Sequence, residues 1–133
     1  MAKDLRVKII VSEDIESQYN GMQQRQIIVN PLIQMRTRFI PTSLSLAVTI
    51  IMVGMIPNVE YKIEISLINK QKNKTIFSTG VAEITAPSDT DNFIANVDLK
   101  NLEIEDEGTY SVLFKVNEDK YTEDFKILRK SEG

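Results

Sequence analysis

Two groups of acidic side chains stand out in the sequence because their types and spacing could do chemistry. The first group comprises Glu103, Glu105, Asp106 and Glu107 in the stretch "EIEDEG". Paired Asp and Glu side chains serve as general acid and general base in hydrolases, so a carboxylate-dependent enzyme is one hypothesis. The alternative is a solvated turn in which Asp106 is structural. We favour this alternative because runs of charge usually face solvent.

The second group offers oxygen ligands for a cation. Asp89, Asp91 and Asn92 lie close together in "SDTDNF", and a later turn bears Glu118 and Asp119. Calcium takes about six to eight oxygen ligands, so a calcium-binding β-sandwich is a second hypothesis. The stretch lacks the central glycine and the distal glutamate of an EF-hand loop. A polar turn capped by an aspartate is therefore the simpler interpretation, and we predict no cofactor.

The residue types that are missing narrow the chemistry further. The 133 residues include no histidine and no cysteine. Serine–histidine and cysteine–histidine catalysis, disulfides and cysteine-based zinc sites are therefore excluded within this chain. The five glycines form no phosphate-binding loop. A net charge of -3 disfavours a nucleic-acid partner, which would require a basic face. The sequence thus predicts a protein that is not an enzyme.

One segment has the composition of a protein-binding surface. The stretch "YNGMQQRQIIVNPLIQMRTRF" combines aromatic residues, methionine and arginine, the types that are enriched in the centres of interfaces. Its candidate interface residues are Tyr19, Met22, Arg25, Met35, Arg36 and Phe39. Edge strands of a sandwich are a further route to protein contacts, because their backbone groups are unpaired. Coverage of one end of the core by these side chains is the alternative interpretation.

The elements that would position these residues are β-strands. Apolar and polar residues alternate between residues 59 and 67, and alternation of this kind indicates a half-buried strand. The same pattern and the intervening turn residues predict eight strands, at 5–11, 27–36, 44–53, 59–68, 75–84, 92–99, 109–117 and 120–128. Residues 109–128 read as a β-hairpin. We predict a loop over residues 12–26, within a less regular polar segment at about 12–43 of a single domain spanning 1–133.

Two further segments bear on localisation. The apolar stretch at 44–56 is too short to cross a bilayer, so we interpret it as a buried strand. The first residues lack the uncharged core of a secretory signal. We therefore expect a cytoplasmic protein without membrane contact.

The stretch "LEIEDEGTYSV" predicts a specific structural motif. Gly108 permits a backbone conformation that a side chain would hinder, and the Asp106 carboxylate is suited to closing the turn. Tyr110 is expected to bury its ring and return its hydroxyl to the backbone of the preceding corner.

These residues resemble the Asp-x-Gly-x-Tyr motif that leads into the sixth strand of the immunoglobulin-like superfamily. The resemblance implies an all-β, two-sheet antiparallel Greek-key sandwich of seven to nine strands, here without a disulfide because Val112 stands at the cysteine position. It also implies that the loops bearing Asp89 and Glu118 lie at the same end of the sandwich. Lys72 and Lys74 are poor candidates for the arginine that often pairs with the motif's aspartate.

The chain also resembles a group of small uncharacterised bacterial and phage proteins in the pieces "LRVKIIV", "PTSLSLAV" and "GTYSVLFKV". That resemblance implies no activity. We expect a non-catalytic protein-interaction or assembly module that contacts itself or a host protein, with a homo-oligomer as one form. A carboxylate- or metal-dependent enzyme and a binder of a small molecule in a core cavity are the alternatives.

Overall fold

Two β-sheets face each other in the computed structural model of the protein, which describes residues 5–86 and 92–130, with only the backbone at 20, 23, 24 and 92. The strands of these ranges are β1 (Arg6–Asn20), β2 (Gln23–Pro31), β3 (Gln34–Thr37), β4 (Thr42–Val53), β5 (Glu60–Asn69), β6 (Lys74–Ser78), β7 (Ala82–Thr85), β8 (Asn92–Ile104), β9 (Gly108–Val116) and β10 (Asp119–Arg129). The first sheet has the order β2-β1-β4-β8. The second has the order β3-β10-β9-β5-β6, and β7 pairs with the start of β5.

The core lies between the two sheets because each strand places alternate side chains on opposite faces. In β4 the core-facing residues are Leu46, Val48, Ile50 and Met52, which are all at most 2% exposed. The second sheet contributes the buried side chains of Tyr61, Leu67, Tyr110, Val112, Phe114, Phe125 and Ile127. The described residues contain no helix that could cross a membrane.

The architecture confirms the expected fold class, an all-β immunoglobulin-like sandwich of two sheets. β4 and β8 pair in one sheet, whereas β5, β9 and β10 pair in the other. The predicted hairpin at 109–128 is also confirmed, and its strands close on the pair Val116–Asp119. Two details differ from the expectation. The described ranges contain ten strands rather than seven to nine, and β3 pairs with β10 in parallel.

The loop predicted over residues 12–26 is wrong, because this stretch belongs to a β-hairpin. β1 continues to Asn20 and pairs with β2 in antiparallel register, from Ser12–Pro31 to Asn20–Gln23. The turn between them has only two residues, and its Gly21 has φ of 66°. A glycine with positive φ at the first turn position is typical of the tight turns that join antiparallel strands.

Besides the first strand, three predicted strands differ from the structure by a break or by more than two residues. The strand predicted at 27–36 is divided between the sheets, since β2 ends at Pro31 and β3 begins at Gln34. The strand predicted at 75–84 is also divided, into β6 and β7, with Gly80 at φ of 76° between them. β8 continues five residues beyond the predicted end at 99, past Asn101 at φ of 55°.

Candidate interaction surface

The hairpin of β1 and β2 folds back across the outer face of the first sheet. Asn96 of β8 donates from Nδ2 to Gln26 Oε1 of β2 at 3.1 Å. In the plane of the sheet these strands are the two edges, about 14 Å apart at ordinary strand spacing, which is too far for two side chains to meet. Asn96 pairs with Thr49, and Thr49 alternates with the core-facing residues of β4. The contact between Asn96 and Gln26 therefore lies on the outer face of the sheet. The hairpin must therefore cross that face.

Burial on the same face agrees with this course of the hairpin. Ala47 and Thr49 point away from the core, yet they are 0% and 3% exposed. The Thr49 hydroxyl donates to Asn96 Oδ1 at 3.0 Å, so Thr49, Asn96 and Gln26 form one chain of hydrogen bonds. This chain fastens the hairpin to the sandwich, and it gives the buried Thr49 hydroxyl the acceptor that it requires.

The hairpin leaves the sheet at Ser12, the last residue of β1 that pairs with β4. There the Ser12 hydroxyl donates to the Asp14 carbonyl at 3.1 Å, and Ile15 N donates to Asp14 Oδ1 at 2.8 Å. On the partner strand Asn30 has φ of 56°, and its side-chain amide donates to the Glu13 carboxylate. These local hydrogen bonds mark the position at which the ribbon changes direction.

The far end of the hairpin, residues 18–25, is called the hairpin tip from here on. Tyr19 is 73% exposed and Met22 is 103% exposed, the highest value among the exposed apolar side chains of the described residues. Arg25 is exposed and lies opposite Gln18. The tip therefore presents an aromatic ring, a thioether and a guanidinium on a short ribbon.

The other three predicted interface residues lie elsewhere. Met35 and Arg36 belong to β3 in the second sheet, and Met35 packs against the core. Phe39 follows β3 and is 70% exposed. Because β3 lies beside β10 while the hairpin extends toward β8, the six predicted residues do not form one surface.

A polar network surrounds the corner between β8 and β9. The Tyr110 hydroxyl donates to the Asp106 carbonyl oxygen at 2.6 Å, and the tyrosine is 1% exposed. The Asp106 carboxylate accepts from Asn69 at 3.4 Å and lies 3.0 Å from the Lys72 ammonium. The prediction that Lys72 is a poor partner for Asp106 is therefore wrong, because the turn after β5 brings it to the corner. The expected position of the tyrosine hydroxyl is confirmed.

Gly108 and Gln71 connect this corner to the turn after β5. Gly108 has φ of 139°, and a Cβ there would overlap the Gln71 side-chain amide. That amide instead accepts a hydrogen bond from Thr109 N through Oε1 and donates through Nε2 to Asn69 Oδ1 at 3.1 Å. The side chain of Gln71 thus occupies the space that the missing Cβ leaves.

Two groups at the corner have shifted pKa values. The pKa of Lys72 is raised above 10.5 because it hydrogen-bonds to the Asp106 carboxylate and is attracted by its charge. The pKa of Tyr110 is raised above 10.0, chiefly because burial disfavours the phenolate, although the bond to the Asp106 backbone opposes this. At neutral pH the corner therefore holds a cationic lysine and a neutral tyrosine.

The remaining acidic candidates are spread around the same corner. Glu107 Oε1 accepts from Arg129 N at 3.3 Å, and Glu105 lies 4.0 Å from the Lys74 ammonium. Glu103 and Glu105 line a groove of about 400 Å³ together with Lys74. Among the residues that the structure describes, no three acidic side chains are placed to hold a metal ion.

The calcium candidates are only partly covered by the structure. Asp89 and Asp91 lie outside the described residues, and Asn92 is described by its backbone alone. Glu118 and Asp119 are exposed at the turn between β9 and β10. β8 begins beside Val53, the last residue of β4. β9 finishes at the same end of the sandwich, so the start of β8 and the turn after β9 lie at one end.

Comparisons with known proteins assign the chain to no family. No family model matches the chain, and no curated protein matches it. A β-glucosidase from Listeria innocua superposes on 94% of this chain with a TM-score of 0.47 and 10% identity. This chain spans 16% of the length of that enzyme. A CARDB domain from Pyrococcus furiosus, solved in complex with di-metal ions, matches 93% of this chain and 96% of its own length, with a TM-score of 0.44 and 10% identity.

Proposed function

We propose that the protein is a non-catalytic protein-interaction or assembly module that contacts its partner through the hairpin tip. The observation that supports this proposal is the exposure of Tyr19 and Met22 on a ribbon that Gln26 and Asn96 fasten to the sandwich. Tyrosine, methionine and arginine are enriched in the centres of protein interfaces. A fastened ribbon also loses less conformational freedom on binding than a free loop does.

The rest of the molecule supports a function in which the sandwich holds the hairpin in place and the hairpin contacts the partner. The sandwich is a rigid platform, and its corner carboxylate Asp106 is bonded to Lys72 and Asn69 rather than directed into a groove. Recognition on such folds is usually carried by the segments that extend from the platform.

The experiment compares three proteins as bait for partners from the native host. The wild type is set against the Tyr19→Ser/Met22→Ser double variant and against Val81→Ser, which removes an exposed apolar side chain of similar exposure (67%) away from the tip. We expect wild type and Val81→Ser to retain the same partner, and the double variant to lose it by at least tenfold in affinity. Light scattering on the purified chain establishes whether that partner is a second copy. Equal retention by all three proteins contradicts the proposal.

A further inference from the structure

The outer edge of β10 is only half covered. β3 pairs with Lys126–Arg129 alone. Within residues 5–86 and 92–130, no strand pairs with Asp119–Phe125 on the side away from β9. We call this stretch the open edge of β10. The backbone N–H of Lys126 points away from β9 and donates to the Ile33 carbonyl at 2.9 Å. Backbone groups alternate in direction along a strand, so those of Lys120, Thr122 and Asp124 also point away from β9.

A second uncovered edge faces the first across the boundary between the sheets. β1 pairs with β4 from Arg6 to Ser12, but its pairing with β2 begins only at Ser12. Between β1 and the open edge lies a groove of about 910 Å³, with a floor of apolar and aromatic side chains that include Val7, Ile9 and Tyr121. Among the residues that the structure describes, the backbone on each side of the groove therefore has no strand partner.

Glu123 gives this groove a specific chemical character. Side chains on a strand alternate between its two faces, and Glu123 is an even number of residues from the core residues Phe125 and Ile127. Its side chain therefore points toward the space between the sheets. It is partly buried, and the described residues offer its carboxylate no hydrogen bond or ion pair. Lys8 and Lys120 line the same groove, yet neither forms an ion pair with it. Its carboxylate oxygens still reach water, since no inaccessible side-chain oxygen of the described residues lacks a hydrogen-bond partner. The carboxylate is therefore free to accept charge-assisted hydrogen bonds from a cationic side chain of a ligand.

We propose that the open edge of β10 binds an extended peptide strand that continues the line of β3 and directs a basic side chain at Glu123. Unpaired donors and acceptors at every second residue are the feature that added strands use. The open edge offers roughly 20 Å of backbone at ordinary strand rise. The apolar floor accepts the neighbouring inward side chains, and Glu123 selects arginine or lysine between them. This site is separate from the hairpin tip.

The test uses a capped nine-residue probe peptide in which valine fills the odd positions, threonine fills the even positions and arginine replaces the central valine. A second peptide has glutamate at the centre. Nuclear magnetic resonance titration follows the backbone amides of Lys120, Thr122 and Asp124. We expect these amides to shift with the arginine peptide, and affinity for the glutamate peptide to be at least tenfold lower. Glu123→Gln should remove that preference.

Substitutions at Thr122 separate strand addition from ordinary surface binding. Thr122→Pro removes an outward N–H that no described residue accepts, so the pairing with β9 is preserved. We expect it to abolish peptide binding without lowering the melting temperature by more than a few degrees, whereas Thr122→Ala still binds.

Three results would overturn the proposal. The first is the absence of amide shifts at millimolar peptide. The second is equal binding by Thr122→Pro. The third is stronger binding by Glu123→Gln, which would mean that the inward charge protects the edge from added strands. Tyr19→Ser/Met22→Ser should bind the peptide normally, so failure here is distinguishable from failure at the hairpin tip.

Discussion

The hydroxyl of Tyr110 reaches the carbonyl oxygen of Asp106, four residues earlier in the chain, at 2.6 Å. The same aspartate holds Lys72 with its carboxylate, at 3.0 Å. One residue therefore joins the end of β8 to the start of β9 with its backbone, and to the turn after β5 with its side chain. Its neighbour in the motif, Gly108, leaves room for the Gln71 side chain that completes the connection.

Removal of the Tyr110 hydroxyl should destabilise the fold measurably. Tyr110→Phe keeps the buried ring but leaves the Asp106 carbonyl without this donor, and the expected loss is about 1 kcal/mol of the free energy of unfolding. Urea denaturation measures it through the transition midpoint. Tyr121→Phe is the matched control, since the described residues give the Tyr121 hydroxyl no hydrogen bond and its ring is only partly buried. Equal losses in the two variants would show that the bond contributes nothing.

Gly108→Ala should be more destabilising than Gly80→Ala. Both glycines have positive φ, at 139° and 76°, so alanine is strained at either position. Only at position 108 does the new Cβ also meet the Gln71 side chain, whereas nothing lies within 4 Å of a Cβ at position 80. We expect about 1–3 kcal/mol for Gly108→Ala and a smaller loss for the control, from urea denaturation. Equal values would mean that Gln71 simply moves aside.

Stability should fall at alkaline pH because of the corner. The folded-state pKa values of Lys72 and Tyr110 are both raised, so the stability that they contribute is complete below their unfolded values of 10.5 and 10.0. It is lost as pH rises above these values through the folded ones, because the unfolded chain releases the protons first. We expect unfolding free energies to be flat near neutral pH and to decline above about pH 10. Tyr110→Phe should show a shallower decline, and an unchanged slope would contradict the assignment.

Much of the sandwich is predictable because burial imposes alternation. β5 and β9 have one face in the core, so their apolar residues recur at every second position. The corner is predictable for a different reason, since its glycine, aspartate and tyrosine are close in sequence. Lys72 was not identified as the partner of Asp106, because that contact depends on how β5 pairs with β9.

The hairpin of β1 and β2 was missed although the sequence contains a signal for it. Its residues are polar because it lies on the outside of the sandwich, so they show little alternation. Gly21 is nevertheless a signal for a tight turn, because glycine readily adopts the positive φ found at the first of the two turn positions. Pro31 likewise indicates the end of β2, because proline has no N–H with which to continue the ladder of hydrogen bonds. The fold of the hairpin over the sheet has no local signal, since Gln26 and Asn96 are far apart in sequence.

Asn96→Ala should release the hairpin from the sandwich. The substitution removes the side chain that accepts from Thr49 and donates to Gln26. Because the hydroxyl of Thr49 is nearly inaccessible to water, its loss of an acceptor should cost about 1 kcal/mol of unfolding free energy. Hydrogen exchange should quicken at the amides that pair β1 with β2 beyond Asp14, while those of β5 and β9 stay protected.

Asp98→Ala is the matched control for this change. Asp98 lies two residues further along β8 on the same outward face, and it is exposed. The substitution Asp98→Ala should leave the rate of hydrogen exchange in the hairpin unaltered. If the hairpin tip is the interaction surface, Asn96→Ala should also weaken partner binding severalfold, because a released ribbon loses more freedom on binding. Hairpin exchange that is the same in both variants would show that Asn96 does not fasten the hairpin, and that other contacts keep it against the outer face.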